Sequence, residues 1–352
     1  MNRLVLIDGS AILHRAYHAL PPLTAPDGKL VNAVYGVVSI LLKLYHDFSP
    51  THMAVAFDRP KPTFRKKLFK EYQAQRPKLD GDLVSQITPV HETIESLGVP
   101  IYEVDGFEAD DIIGTIAEKA TSDKRQVTSK RKKISDVSRV TSHVSLTMDE
   151  VIIVTGDRDL LQLVDDKKGI KVFMPVKGLA EGKVFGEIEA KEKFGVVPTL
   201  IPDYKGLAGD QSDNYPGVAG IGPKTAAGLV EKFGSIEGVY RELEEKGKRK
   251  KEKGNEHLTD RVIEKLKKGK ESALLSKNLA TIRTDAPIDV SFDKMKVATL
   301  ITPQARMKLA EFGFKSLLKR LSGESDMKKS EKPKKVSAEK PKKHDEEQLT
   351  LV

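Results

Sequence analysis

Val151-Ile152-Ile153-Val154-Thr155-Gly156-Asp157-Arg158-Asp159 is a short apolar run that breaks, after a Thr-Gly step, into two carboxylates. Two other runs end the same way: Leu4-Val5-Leu6-Ile7 into Asp8, and Met53 to Phe57 into Asp58. Helical patterns separate the runs, which predicts an α/β fold with a mostly parallel sheet and helices on both faces. Parallel strands present their carboxyl ends to a ligand at one edge, so Asp8, Asp58, Asp157 and Asp159 are expected together there. A fourth acidic cluster, Glu108-Ala109-Asp110-Asp111, opens a helical run, and a fifth, Gly209-Asp210-Gln211-Ser212-Asp213, lies in a glycine-rich loop. Carboxylates converging on one edge repel unless cations neutralise them. The pattern implies a metal-dependent enzyme acting on something anionic.

The chain has 352 residues, 39% hydrophobic and 32% charged, enough for two domains and a tail. No apolar stretch approaches the roughly 20 residues of a membrane span. The amino terminus enters a strand pattern at once, so no signal peptide is expected. With no cysteine there is neither a disulfide framework nor a thiolate metal site, and a cytoplasmic setting is expected. The net charge is +9, which places acidic clusters inside a basic protein. Scattered Lys and Arg suit phosphate binding while the acids are left for metals. Much of the excess charge falls in lysine-rich runs, so charge alone does not establish a nucleic-acid partner.

The alternating pattern runs over residues 1–195, with an insertion at 121–149 that reads as a mobile loop. Residues 196–321 form a helix-rich region, and 322–352 read as a disordered basic tail. Between 59 and 82, basic residues including Arg65 and Arg76 alternate with Phe64, Phe69 and Tyr72. Pro216 to Ala226 has the spacing of a helix-hairpin-helix, in which Gly220 and Gly222 permit a tight turn. The following helix start, with Lys224 and Thr225, offers donors to a phosphate. An ordinary helix–helix turn is the alternative reading.

Taken in order, Asp8-Gly9 with Arg15 downstream, Phe57-Asp58, Glu108-Ala109-Asp110-Asp111, Thr155-Gly156-Asp157-Arg158-Asp159 and Gly209-Asp210-Gln211-Ser212-Asp213-Asn214 with its hairpin form an ordered set. The set resembles the 5′-nuclease domain at the amino end of bacterial DNA polymerase I, related to flap endonucleases, over about residues 1–320 without the insertion. The resemblance implies a PIN-like 5′-nuclease core and a structure-specific 5′-3′ exonuclease and flap endonuclease serving replication and repair. It also implies two Mg²⁺ ions, with Mn²⁺ able to substitute. Asp8, Asp58, Glu108, Asp110 and Asp111 are expected to hold one ion, directly or through water. Asp157, Asp159, Asp210 and Asp213 are expected to hold the other, with Asp157 and Asp159 placed to influence both. The 59–82 stretch is then a helical arch over a 5′ single strand, with Arg65 and Arg76 steering the scissile phosphate and Tyr72 stacking on a base. Arg15, Gly220, Gly222, Lys224 and Thr225 are the DNA-binding set, and branched or nicked DNA is the partner.

Gln73 departs from this pattern, since relatives commonly carry lysine there. An amide donates a hydrogen bond without charge, which lowers transition-state stabilisation. A DNA-binding module with impaired catalysis is therefore the alternative function. A haloacid-dehalogenase-like phosphatase is disfavoured because Ser10 stands where Asp-x-Asp chemistry needs its second aspartate. A small PIN-type ribonuclease is disfavoured by the hairpin and the arch. Gln348-Leu349-Thr350-Leu351-Val352 resembles peptides that dock into the bacterial sliding clamp, or else belongs to a linker toward a polymerase, which is also the expected functional partner. A nucleoid-associated protein is implied.

Overall fold

The computed structural model describes residues 1–122, 147–177, 181–246 and 258–321. Most of the expected 121–149 insertion, part of the basic run at 246–253, the tail at 322–352 and the Gln348–Val352 segment lie outside the described residues.

Six strands form one sheet: β1 (Arg3–Asp8), β2 (His52–Ala56), β3 (Ile101–Tyr102), β4 (Glu150–Val154), β5 (Ile170–Lys177) and β6 (Glu181–Phe185). Their order across the sheet is β3-β2-β1-β4-β5-β6. The first five are parallel, with Leu6 opposite Ala54 on one side and Ile153 on the other. Strand order reverses direction at β1, so the crevice beyond the carboxyl ends of β1 and β4 is where such a sheet accepts a ligand.

Alternation of side chains explains why the runs are apolar throughout. Val5, Ile7, Met53, Val55, Ile152 and Val154 face the helices Gly9–Ala19, Asn32–Phe48 and Gly81–Ser96. Leu4, Leu6, Ala54, Ala56, Val151 and Ile153 face the opposite side, where Ile112, Ile113 and Ile116 of the helix Ala109–Thr121 cover them. A separate core, built on Leu207, Val218, Leu229, Val239 and Leu266, joins the helices Ile201–Ala208, Pro223–Phe233, Ile236–Lys246 and Asp260–Lys268. Among the described residues no helix is long and apolar enough to cross a membrane.

β6 pairs antiparallel with β5, Val172 opposite Phe185, so the sheet is mostly parallel with one antiparallel edge strand. Two features differ from the sequence reading. The helical region does not extend as one unit from 196 to 321. The helices Pro303–Glu311 and Lys315–Leu321 return to the first core, placing Leu309, Phe314, Leu317 and Leu321 beside Val34 and Leu41. The stretch expected as a helical arch contains one five-residue helix, Phe64–Leu68, followed by turns. Arg65 and Tyr72 of this stretch fold inward, as described next, while Arg59, Lys61, Lys67, Lys70, Arg76 and Lys78 stay exposed.

Candidate active site

Strand ends and a helix start set the first group of acids. Asp8 is the last residue of β1 and caps the helix that follows, accepting from the Ala11 amide at 2.9 Å and, through its other oxygen, from the Thr155 hydroxyl at 2.7 Å. The second bond ties the end of β1 to the end of β4. Asp58 follows β2 and accepts from the Ala109 amide at 2.8 Å, which locks the β2 end onto the start of the helix Ala109–Thr121. Glu108 caps that helix, receiving Thr63 Oγ1 at 3.0 Å and the Tyr72 hydroxyl at 3.1 Å. Asp110 sits in its first turn, facing the charges of Asp157, Asp8, Asp58 and Glu108.

A second group gathers around the loop after residue 208. Oxygens of Asp159, Asp210 and Asp213 all lie within 4.8 Å of one another. Asp157 turns the chain toward them, accepting from the Asp159 amide at 2.8 Å. Backbone chemistry shapes the loop. Gly209 and Gly217 have φ of +75° and +61°, and a Cβ on Gly217 would stand 2.2 Å from the Gly209 nitrogen. Only glycine permits that approach and that conformation. The Tyr72 hydroxyl reaches Glu108 and, at 3.4 Å, Asp213, so it bridges the two groups.

Electrostatics follow from the crowding. Burial, reinforced by the Asp58 and Asp157 charges, pushes Asp8 up to about 7 against its hydrogen bonds from Ala11 and Thr155. Burial likewise raises Glu108 to about 7, the Arg65 guanidinium opposing. Burial and then Asp157 raise Asp159 to about 7, and Asp110 is driven well above the usual carboxylate range by burial and four neighbouring acids. Burial also raises Asp157. Asp210 is the exception: burial raises it, but the Lys205 ammonium and the Ser212 hydrogen bonds outweigh burial and hold it low. A site of oxygen donors whose charges are mutually unfavourable suits a divalent cation, and Asp159, Asp210 and Asp213 are grouped closely enough to hold one.

Several expected site residues take different places. Asp111 has no exposed surface, and each of its oxygens is committed twice. Oδ1 accepts from Arg65 at 2.8 Å and the Arg283 amide at 2.8 Å; Oδ2 accepts from Arg65 at 2.7 Å and the Glu108 amide at 3.0 Å. No lone pair is left for a metal. Arg65 is 2% exposed, with further N–H groups on the carbonyls of Leu279 and Thr281 and its Nη1 also 3.3 Å from Glu108 Oε2. Its guanidinium is a buried strut and cannot steer a phosphate. Tyr72 is also buried, packed with Tyr215, Leu279 and Ala280, so its ring cannot stack on a base.

Arg76 keeps a half-exposed side chain and holds Asp213 at 2.7 Å. Gln73 occupies the left-handed region, φ +52°, and donates to the Tyr72 hydroxyl at 3.0 Å and to Asp213 at 3.1 Å. Arg15 is half-buried on the helix after Asp8, apart from the hairpin. In the hairpin, Gly220 has φ +78°, whereas Gly222 is an ordinary helix cap at φ −89°. Gly222 and Lys224 are exposed at the start of the helix Pro223–Phe233, with Thr225 half-buried beside them.

Lys205 escaped the sequence reading. It is 6% exposed, and its ammonium donates to both Asp159 and Asp210. Burial opposes its charge, but those two carboxylates more than offset this and raise it. A lysine in the pattern Ile201-Pro202-Asp203-Tyr204-Lys205 reads as a solvent-facing helix residue, so only its spacing to Asp210 gave any signal. A cavity of about 1010 Å³ lies beside Thr51 and Leu321 at the amino-end edge of the sheet. Another, of about 830 Å³, is lined by Asp210, Gln211, Asn214 and Tyr215 of the acidic loop.

Comparison with known proteins identifies related sequences and a related fold. The family model described as the 5′-3′ exonuclease N-terminal resolvase-like domain matches residues 3–195, and that of the 5′-3′ exonuclease C-terminal SAM fold matches residues 196–302. DNA polymerase I of Bacillus subtilis is 39% identical over 324 residues, covering 92% of this chain and 33% of that protein. The 5′-3′ exonuclease of Aquifex aeolicus is 34% identical over 319 residues, covering 91% and 95%. The chain thus spans about a third of the polymerase relatives it matches and nearly all of the exonuclease. In fold it resembles the T5 5′-exonuclease solved with divalent zinc, with TM-score 0.59 and 18% identity over 92% of this chain and 97% of that one.

Proposed function

Because the chain belongs to the 5′-3′ exonuclease family, we propose that it hydrolyses phosphodiester bonds near the 5′ end of a DNA or primer-RNA strand. Its substrate is a flap, branch or nick, and it acts as a structure-specific exonuclease and flap endonuclease in replication and repair. The observation that carries this reading is the meeting of acids from three strand ends, one helix start and one glycine-shaped loop at a single sheet edge.

Asp8, Asp58, Glu108, Asp110 and Asp157 are suited to one divalent ion, and Asp159, Asp210 and Asp213 to another. Paired Mg²⁺ ions, when bound, supply an activated water and stabilise the leaving oxygen in an in-line displacement. The protein's own groups do the rest. Thr155 and the Ala11 amide fix the orientation of Asp8, and the Ala109 amide fixes Asp58. Tyr72 holds Glu108 and Asp213 in register across the cleft. Arg76, half-exposed on Asp213, is placed to receive a phosphate. Around the exposed Gly222 and Lys224, the helix start offers backbone donors to the duplex without reading sequence. The PIN-like description of the core belongs to the same reading. So do Mn²⁺ as substitute ion, a cytoplasmic, nucleoid-associated location, a DNA polymerase partner, and a sliding-clamp contact through Gln348–Val352.

Cleavage mapping on a 5′-labelled double-flap substrate, with Mg²⁺ and with EDTA, tests the reading. A product cut beside the junction in Mg²⁺ alone is expected. Gln73 favours a second reading, a structure-specific DNA-binding module with impaired catalysis. Tight flap binding with no cleavage at any Mg²⁺ or Mn²⁺ concentration would select it.

A further inference from the structure

Tyr215 plays no part in the mechanism above. It follows Asp213 by two residues and pairs with Asp210 through both backbone hydrogen bonds, at 2.9 and 3.0 Å. Its ring packs with Tyr72, Leu279 and Ala280, and the residue is 3% exposed. Its hydroxyl is buried, yet among the described residues no group hydrogen-bonds to it. The charges facing it are those of Asp159, Asp210, Asp213 and Asp157.

Such a hydroxyl is costly. A buried polar group without a partner destabilises a fold, and phenylalanine would fill the same packing without that loss. The neighbouring donors are already placed: Lys205 serves Asp159 and Asp210, while Tyr72, Gln73 and Arg76 serve Asp213. A phenol both donates and accepts. With no protein partner in reach among the described residues, both capacities stand available to a water carried by a cation.

We propose that Tyr215 is a positioning residue for a hydrated divalent cation held by Asp159, Asp210 and Asp213, its hydroxyl anchoring a water that the cation carries. The inference deepens the nuclease reading and rests on it. Outer hydrogen bonds of this kind set ligand orientation, and their loss typically weakens metal affinity by about 10–100-fold.

The test is Mn²⁺ binding to the full chain, counted by the EPR signal of free Mn²⁺, for wild type, Tyr215→Phe and Asp213→Asn. Wild type is expected to bind two ions. Tyr215→Phe should weaken by about tenfold the ion that Asp213→Asn abolishes, and leave the other within twofold. Melting in EDTA should show Tyr215→Phe equal to wild type or higher, and melting in Mn²⁺ should show it lower. Unchanged affinity for both ions overturns the proposal, as does an equal loss of melting temperature with and without Mn²⁺. Wild type that cuts flaps beside unchanged Tyr215→Phe affinity refutes this inference alone. Wild type that binds no Mn²⁺ and cuts nothing refutes the nuclease reading with it.

Discussion

Replacing Arg65 separates two roles for the 59–82 stretch. If its guanidinium contacted the scissile phosphate, Arg65→Met would slow cleavage and leave folding alone. The structure requires the reverse order of effects. Arg65 makes two bonds to Asp111, at 2.7 and 2.8 Å, and one each to the carbonyls of Leu279 and Thr281, at 2.8 and 2.9 Å. Asp111 has no contact with solvent. Removing one partner of a buried pair leaves an uncompensated charge and costs about 3–5 kcal/mol. The two abandoned carbonyls add to that. At roughly 2–4 °C per kcal/mol for a chain of this class, the melting temperature should fall by about 6–20 °C. Differential scanning calorimetry of Arg65→Met, Asp111→Asn and the double variant gives the coupling directly. The double variant should recover part of the sum of the single losses. An Arg65→Met protein with wild-type melting and selectively slowed single-turnover cleavage would refute the reasoning.

Three further outcomes are expected. In EDTA, stability should fall as pH rises from about 4 to 7, because Asp8, Glu108 and Asp159 titrate near 7 in the fold and near 4 when unfolded. The folded chain then binds more protons than the unfolded one across that window; melting curves at stepped pH should lose the slope when Mg²⁺ is added. Gln73→Lys restores a cation beside Asp213 and should raise single-turnover cleavage on the order of tenfold, measured by rapid quench, with an unchanged rate counting against a charge requirement there. Gly217→Ala sets a methyl against the Gly209 backbone in a positive-φ turn; it should cost more than about 1 kcal/mol and weaken Mn²⁺ binding at Asp210 and Asp213, which titration calorimetry would detect.

The parts of the molecule legible in the sequence are those whose cause is local. Leu4–Ile7 and Val151–Val154 are apolar throughout because both faces of the sheet are covered, and a carboxylate just past such a run belongs at the ligand edge. Asp8 ends β1, Asp58 follows β2 and Asp157 follows β4, and oxygens of Asp159, Asp210 and Asp213 lie within 4.8 Å of one another. What the sequence concealed depends on partners far along the chain. Arg65 reads as a surface cation until Leu279 and Thr281 arrive 214 and 216 residues later to enclose it. Lys205 is read the same way until Asp159 and Asp210 close on it. Asp111 has the spacing of its acidic neighbours but points to the other side of its helix start, into the core.

The return of Pro303–Leu321 to the first core has a practical consequence. The helices between residues 201 and 280 are a detour, anchored at its exit as well as its entrance, and not a module hung on the end. Leu309, Phe314 and Leu317 pack onto Val34 and Leu41 as a clasp across the start of the chain. A fragment stopping at residue 195 would leave that apolar seam bare, and one beginning at 196 would carry the clasp away with nothing to close on. Removing residues 201–280 would in turn strip away the Leu279 carbonyl and the packing of Tyr215, Leu279 and Ala280 that enclose Arg65 and Tyr72, so neither stretch is sealed without the other.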